Sequence, residues 1–155
     1  MNEREARRFA LGLMEASEAV YLTTVDRDGF PQTRAMLNLR NSQQCPSLVG
    51  LFAAHKDDLL VLFTTNTSSG KVQQIRAHPT ISAYFCVPGK FHGLMLGGVA
   101  EIVDDSQLKA AIWQDGWERH YPKGADDPDH AVLRLMPRVA KGWHGEGRFE
   151  FKLNA

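Results

Sequence analysis

Phe63-Thr64-Thr65-Asn66-Thr67-Ser68-Ser69-Gly70-Lys71 is the stretch on which the fold turns. It ends the run Leu59–Thr65, whose apolar and β-branched residues read as a buried strand. It then opens a short helix, Gly70 to Ala77, that must stop before Pro79. Asn66 to Ser69 supply the amide and hydroxyl side chains that suit a helix N-cap. The first backbone N–H groups of a helix have no internal partner, and its dipole favours an anion there. A lysine in that first turn, Lys71, works against the dipole unless an anionic ligand such as a phosphate reverses the sign. A capped surface helix with an exposed lysine is the competing reading. The GxxxxGK[ST] pattern of a Walker loop is absent.

Upstream, Ala6, Phe9, Ala10, Leu13 and Val20 fall at three- and four-residue steps, the stripe of an amphipathic helix over about Glu3 to Ala19. Val20 to Val25 changes to strand texture, and Asp26-Arg27-Asp28-Gly29 forms a hairpin turn in which Gly29 supplies the positive φ. Phe30 to Arg40 is the return strand. Arg34 lies on it, sharing a face with Gln32, Met36 and Asn38, where a guanidinium can fork onto phosphate oxygens or serve as an ordinary surface residue.

Downstream, Thr80–Val87 and Leu94–Val103 read as strands, with a bulge or close backbone approach at Gly97-Gly98. A helix is expected over Ser106–His120, anchored by Trp113 and Trp117. A strand over Val132–Met136, Pro137, a last strand over Val139–Trp143 and an alternating tail follow. Leu48–Ala54 reads equally as a short strand or a turn of helix. Antiparallel connections and few helices give a mainly β fold, a β-barrel with peripheral helices, in one domain over 1–155.

The composition restricts the function. With 155 residues there is room for one core, and 43% hydrophobic with 23% charged residues is a folded composition. Lys and Arg (18) cancel Asp and Glu (18), so the basic excess of a nucleic-acid binder is missing. No apolar run reaches membrane-spanning length, and the amino terminus lacks the pattern of a secretory signal, so a cytoplasmic location is expected. Cys45 and Cys86 match no thiol–metal spacing, and the six histidines form no HxxxH or HxH pair, so no metal site is expected. His92 is a possible proton donor.

Taken in order, these segments resemble the pyridoxamine 5′-phosphate oxidase-like flavoproteins over about residues 18 to 145. FTTNTSSGKVQQI is similar to the family's phosphate segment, and Arg34-Ala35-Met36-Leu37 to its arginine-led strand. His78-Pro79, Gly98-x-Ala100-Glu101 and Asp126-Asp127-Pro128-Asp129 before VLRLMPRVAKGW resemble the general-stress-protein branch. The resemblance implies a six-stranded antiparallel FMN-binding split barrel, working as a homodimer with FMN at the subunit interface and a small-molecule redox substrate. It implies that Arg34 and Lys71 contact the FMN phosphate with Ser69 assisting. Ala35, Met36 and Leu37 would line the flavin through their backbone, Thr64 and Thr65 would lie against the ring or ribityl chain, and Trp143 would approach from the partner subunit. Gly70 stands where the oxidases have a second phosphate arginine, Gly93 replaces a flavin-facing glutamine, and the arginine–histidine substrate clamp is unrecognisable, so vitamin B6 oxidation is not expected. Non-catalytic flavin binding, a deazaflavin or haem, and an empty structural dimer remain as alternatives.

Overall fold

In the computed structural model, which describes residues 1–154, the first helix, α1 (Glu3–Ala16), begins at a capping box. The Asn2 side chain accepts the Glu5 N–H, and the Glu5 carboxylate accepts the Asn2 N–H, both at 2.9 Å. Its stripe of Ala6, Ala10, Leu13 and Met14 is buried. The next segment leaves the helix and becomes β1 (Ala19–Val25), in which Val20, Leu22 and Thr24 alternate inward. Gly29, at φ 86°, turns the chain into β2 (Pro31–Leu37), paired with β1 so that Arg34 lies opposite Leu22.

Seven strands form one antiparallel sheet in the order β2-β1-β4-β5-β6-β3, where β3 is Val61–Asn66, β4 Thr80–Val87, β5 His92–Val103 and β6 His130–His144. The path is not closed: β2 and β3 end it and approach each other without pairing. The architecture is mainly β and consistent with a split barrel, but the strand number corrects the expected six. The reason is the length of β6. Its first half pairs with β3, which leaves the edge of its second half open. Gly145, at φ 60°, returns the tail as β7 (Gly147–Lys152) to fill that edge.

Two expected strands in the last third are one. Pro137 does not interrupt β6, because it sits at a bulge: Gly97 pairs with Val139 and Gly98 with Pro137, leaving Arg138 as the extra residue. The expected Ser106–His120 helix is also shorter. The helix α4 (Ser106–Ile112) stops there because Trp113 turns extended (ψ 135°) and Gly116 takes φ 93° before a 3₁₀ turn at Trp117–Arg119.

Strand β3 is buried on both faces. Val61 and Phe63 join the barrel core with Leu22, Ile81, Phe85, Leu94, Leu96, Leu133 and Leu135. Leu60 and Leu62 face a second cluster with Leu39, Cys45, Leu48, Phe52, Ile112 and Val132. Leu48–Ala54 is helical, a 3₁₀ turn followed by α2 (Val49–Ala53). The segment between β2 and β3 is therefore a lid on the outer face of β3 and β6. Arg40 staples it, donating to the carbonyls of Leu60 (2.9 Å) and His55 (2.8 Å) with its guanidinium over the Phe52 ring. Burial pulls this arginine down to about 10.

The bulge depends on Gly98: a Cβ there would lie 2.9 Å from the Met136 carbonyl oxygen and 3.2 Å from Pro137 Cα, both backbone atoms. Gly98→Ala is expected to cost about 1–3 kcal/mol. A lower urea midpoint at unchanged slope is the expected result. Gly50→Ala, where a Cβ meets nothing within 4 Å, is the neutral control.

Candidate functional site

The open end of the barrel between β1, β2 and β3 gathers polar side chains from four elements. Arg34 points inward from β2. Its Nη1 donates to Thr24 Oγ1 on β1 (2.7 Å), to the Gln32 carbonyl (2.9 Å) and to the Leu22 carbonyl (3.3 Å). Its Nη2 has one long contact, 3.4 Å to Gln74 Oε1 on the third helix, α3 (Gly70–Ala77). One turn earlier on α3, Lys71 donates to Thr65 Oγ1 of β3 at 3.0 Å. Burial lowers the pKa of Arg34. Burial first, and then the charge of Arg34, lowers that of Lys71. Neither cation forms an ion pair among the described residues.

Ser69 is the N-cap of α3, yet its side chain caps nothing. Its Oγ is buried and has no hydrogen-bond partner among the described residues. A buried hydroxyl without a partner is costly, and here it lies beside the unpartnered N–H groups of a helix start. Two cations, an unused hydroxyl and a helix N-terminus converge where no carboxylate answers them. Such a set of donors and charges can accept an anion.

The loop carrying Ser69 is held from below by Asp129. The Asp129 carboxylate accepts from Asn66 Nδ2 (2.6 Å) and the Ser68 N–H (3.0 Å), while its carbonyl accepts the Thr67 N–H (2.7 Å). Asp127 in turn accepts the Asp129 and Lys123 N–H groups. The hydrogen bond from Asn66, followed by that from Ser68, holds the Asp129 carboxyl below its ordinary value.

Of the residues expected at the site, Arg34, Thr65, Ser69 and Lys71 come together. Thr64, the next residue on β3, faces the opposite side, where its Oγ1 lies 2.9 Å from His130 Nε2. His130 Nδ1 lies 2.8 Å from the Ala125 carbonyl, which can only accept. In the neutral ring Nδ1 therefore carries the proton and Nε2 receives the Thr64 hydroxyl. Trp113, Trp117 and Tyr121 enclose this fully buried histidine, so both tryptophans anchor a loop rather than a helix face.

Met36 packs on the core, while Ala35 and Leu37 are exposed on the outer face of β2. As the last strand of the sheet, β2 leaves one backbone edge without a strand partner among the described residues. Leu37 borders a depression of about 530 Å³ with Gln44, Ser47, Trp113, Gln114 and Trp117. At about 3.3 Å per residue, it lies roughly 10 Å along β2 from Arg34. Trp143 is elsewhere. It lies at the far end of β6 from Ala131, the residue paired with Thr65, and borders a separate cavity of about 490 Å³ with Tyr84, Cys86, Phe91 and His92. His92 stacks on His144 there, away from the cationic corner. Gly93 has a reason to be glycine, since a Cβ would meet the Tyr84 hydroxyl at 2.0 Å.

Sequence reading missed Thr24, Gln74 and Asp129. The first two carried a signal: Thr24 continues the inward alternation of Val20 and Leu22, and Gln74 follows Lys71 at i+3. Asp129 stood out only within the Asp126–Asp129 stretch of the resemblance, and its hold on the loop carried no signal, because its partners are more than sixty residues away in the chain.

The family profile described as pyridoxamine 5′-phosphate oxidase matches residues 8–144. Among solved structures, a protein from Clostridium acetobutylicum related to general stress protein 26 of B. subtilis is 30% identical. It covers 97% of this chain and 96% of its own, at a TM-score of 0.76. A pyridoxamine 5′-phosphate oxidase-related, FMN-binding protein of Nostoc punctiforme shares the fold at 18% identity, covering 99% and 92%, with a TM-score of 0.68. A heme-binding protein of Mycobacterium smegmatis shares it at 16% identity, covering 95% of this chain and 57% of its own, also at 0.68. No curated protein sequence matches. Among the described residues no helix is long and apolar enough to cross a membrane, and no group of three or more metal-ligating side chains occurs.

Asp129→Asn keeps the shape of the buttress and removes its charge. A carboxyl lowered on folding stabilises above its unfolded pKa, near 4, and loses that contribution as the pH falls through its folded value. The variant is expected to melt below wild type at pH 7, with the gap closing in strongly acidic solution. A gap that stays constant with pH in thermal melts would refute the charge argument.

Proposed function

The chain belongs to the pyridoxamine 5′-phosphate oxidase family, and from that premise we propose that it is an FMN-binding flavoprotein whose cofactor lies between two copies of the chain. The observation that carries the reading is the corner itself: Arg34 and Lys71, partly desolvated and without a carboxylate, beside the orphaned Ser69 hydroxyl. A phosphate dianion supplies the missing charge and acceptors for Ser69 Oγ and the α3 amides.

Bound FMN supplies electron or hydride transfer between a reduced donor and a small acceptor. The chain's own residues bind and orient. Arg34 offers a forked edge, Lys71 a point charge steadied by Thr65, and β2 a free backbone edge leading from the cationic corner to the depression beside Leu37. The Thr64 hydroxyl is engaged by His130, which fixes the end of β3 rather than handling a substrate proton. Trp143 is assigned to the partner's site, where it excludes water. The arginine–histidine substrate clamp of the oxidases is not recognisable after Trp143, so the substrate is read as something other than a vitamin B6 phosphate.

Protein purified without added flavin is expected to show the flavin absorption bands. A Soret band would assign the cleft to haem, and flavin that neither NADH nor NADPH bleaches would make the protein a passive carrier. The double variant Arg34→Ala/Lys71→Ala is expected to bind FMN at least about a hundredfold more weakly, from two lost charge-assisted contacts of about 1.5–3 kcal/mol each. Undiminished affinity would overturn the phosphate assignment.

Gly70 offers a test in the opposite direction. A Cβ at this first helical position meets nothing within 4 Å. Gly70→Arg adds a third cation at the corner and is expected to tighten FMN binding about tenfold in a fluorescence-quenching titration.

A further inference from the structure

Arg34 is held in an unusual way for a half-buried arginine. Every partner that orients it is neutral: two carbonyls, the Thr24 hydroxyl and the Gln74 carboxamide. A guanidinium has only donors, so the atom of Gln74 facing it must be the oxygen. Thr24 Oγ1 accepts from Arg34 Nη1, so its own hydrogen is directed at the same Gln74 oxygen. Thr24 is fully buried and cannot exchange these partners for water. Three protein acceptors thus crowd Nη1, while Nη2 has one long contact and Nε has none among the described residues. The edge left over, Nε with Nη2, is the pair that grips an oxyanion through two parallel bonds.

We propose that Gln74, acting with Thr24, is the positioning residue that turns the Nε–Nη2 edge of Arg34 toward the cofactor phosphate while leaving its charge unneutralised. Glutamate at the same place would orient the guanidinium equally well and cancel it. Glutamine provides geometry without charge. Its place on α3, one turn beyond Lys71, couples the direction of the arginine to the helix whose N-terminus completes the corner. The proposal rests on the phosphate reading above, and its test separates the two.

FMN and riboflavin, which differ only by the phosphate, are titrated into apo-protein of wild type, Gln74→Glu and Gln74→Met, with flavin fluorescence as the readout. Gln74→Glu is expected to weaken FMN at least about tenfold, one charge-assisted contact, and to leave riboflavin unchanged. Gln74→Met, which keeps length but lacks an acceptor, is expected to weaken FMN a few-fold, again with riboflavin unchanged. Wild type that binds the two flavins equally, or neither, overturns the phosphate reading and this role with it. Wild type that prefers FMN, with variants that keep the same preference, overturns the Gln74 role alone. So does equal loss of both flavins, which would make Gln74 a residue of the fold and not of the phosphate.

Discussion

The arrangement depends on a repulsion the fold sustains. Arg34 and Lys71 are brought into one partly desolvated corner, where burial lowers the pKa of both and the charge of Arg34 further lowers that of Lys71. The cost is tolerable because hydroxyl, carbonyl and carboxamide oxygens replace part of the lost water at fixed geometry. Neutral acceptors solvate a cation without consuming its charge, which leaves the corner attractive to an anion. A nearby aspartate would stabilise the apo fold and blunt the site. Asp129 reaches this loop from more than sixty residues away in the chain, yet its carboxylate is turned to the Ser68 N–H and Asn66, under the loop instead of against the cations.

Strand alternation sets that geometry. Leu22 and Thr24 face inward on β1, and so does Arg34, the neighbour of Leu22 across the ladder. On β3 the same rule sends Phe63 and Thr65 to the barrel and Leu62 and Thr64 to the second layer. A one-residue slip in either ladder would exchange these faces and dissolve the corner. The covering lid of 38–58 serves this constraint. By burying Leu60 and Leu62 it makes the outward register of β3 as costly to lose as the inward one.

The parts of this structure that could be read in the sequence are those decided locally. The capped first helix, the Gly29 hairpin, the face of Arg34 and the strand-to-helix junction at Thr65–Gly70 each depend on residues within a few positions. Where distant partners decide, the sequence was silent or misleading. Pro137 looks like a strand break until β5 supplies the bulge that makes its missing N–H harmless. Trp113 and Trp117 keep helical spacing, yet a histidine from β6 draws them off the helix. Thr64 and Thr65 are indistinguishable as letters, and only the two-sided burial of β3 gives them separate tasks. Gln74 lay on a legible helix face, but its role required knowing that a buried threonine from β1 would meet it.

The position of Trp143 bears on the proposed placing of the cofactor between two copies of the chain. One chain places its cations at the mouth between β2 and β3, and its half-exposed Trp143 and Tyr84 at the other end of β6. No movement of a side chain joins the two, because the ladder between β5 and β6 fixes their separation. Under the proposed assembly a two-fold axis resolves this with no added residue: the aromatic end of each chain closes the cationic mouth of the other, and the operation that builds one site builds the second. The exposed side chains of Ala35, Leu37, Tyr84 and Trp143 then have a common explanation, as apolar surface covered by the second copy. Gly93 fits the same account: by leaving room for the Tyr84 ring, it keeps an aromatic surface where a longer side chain at 93 would have stood.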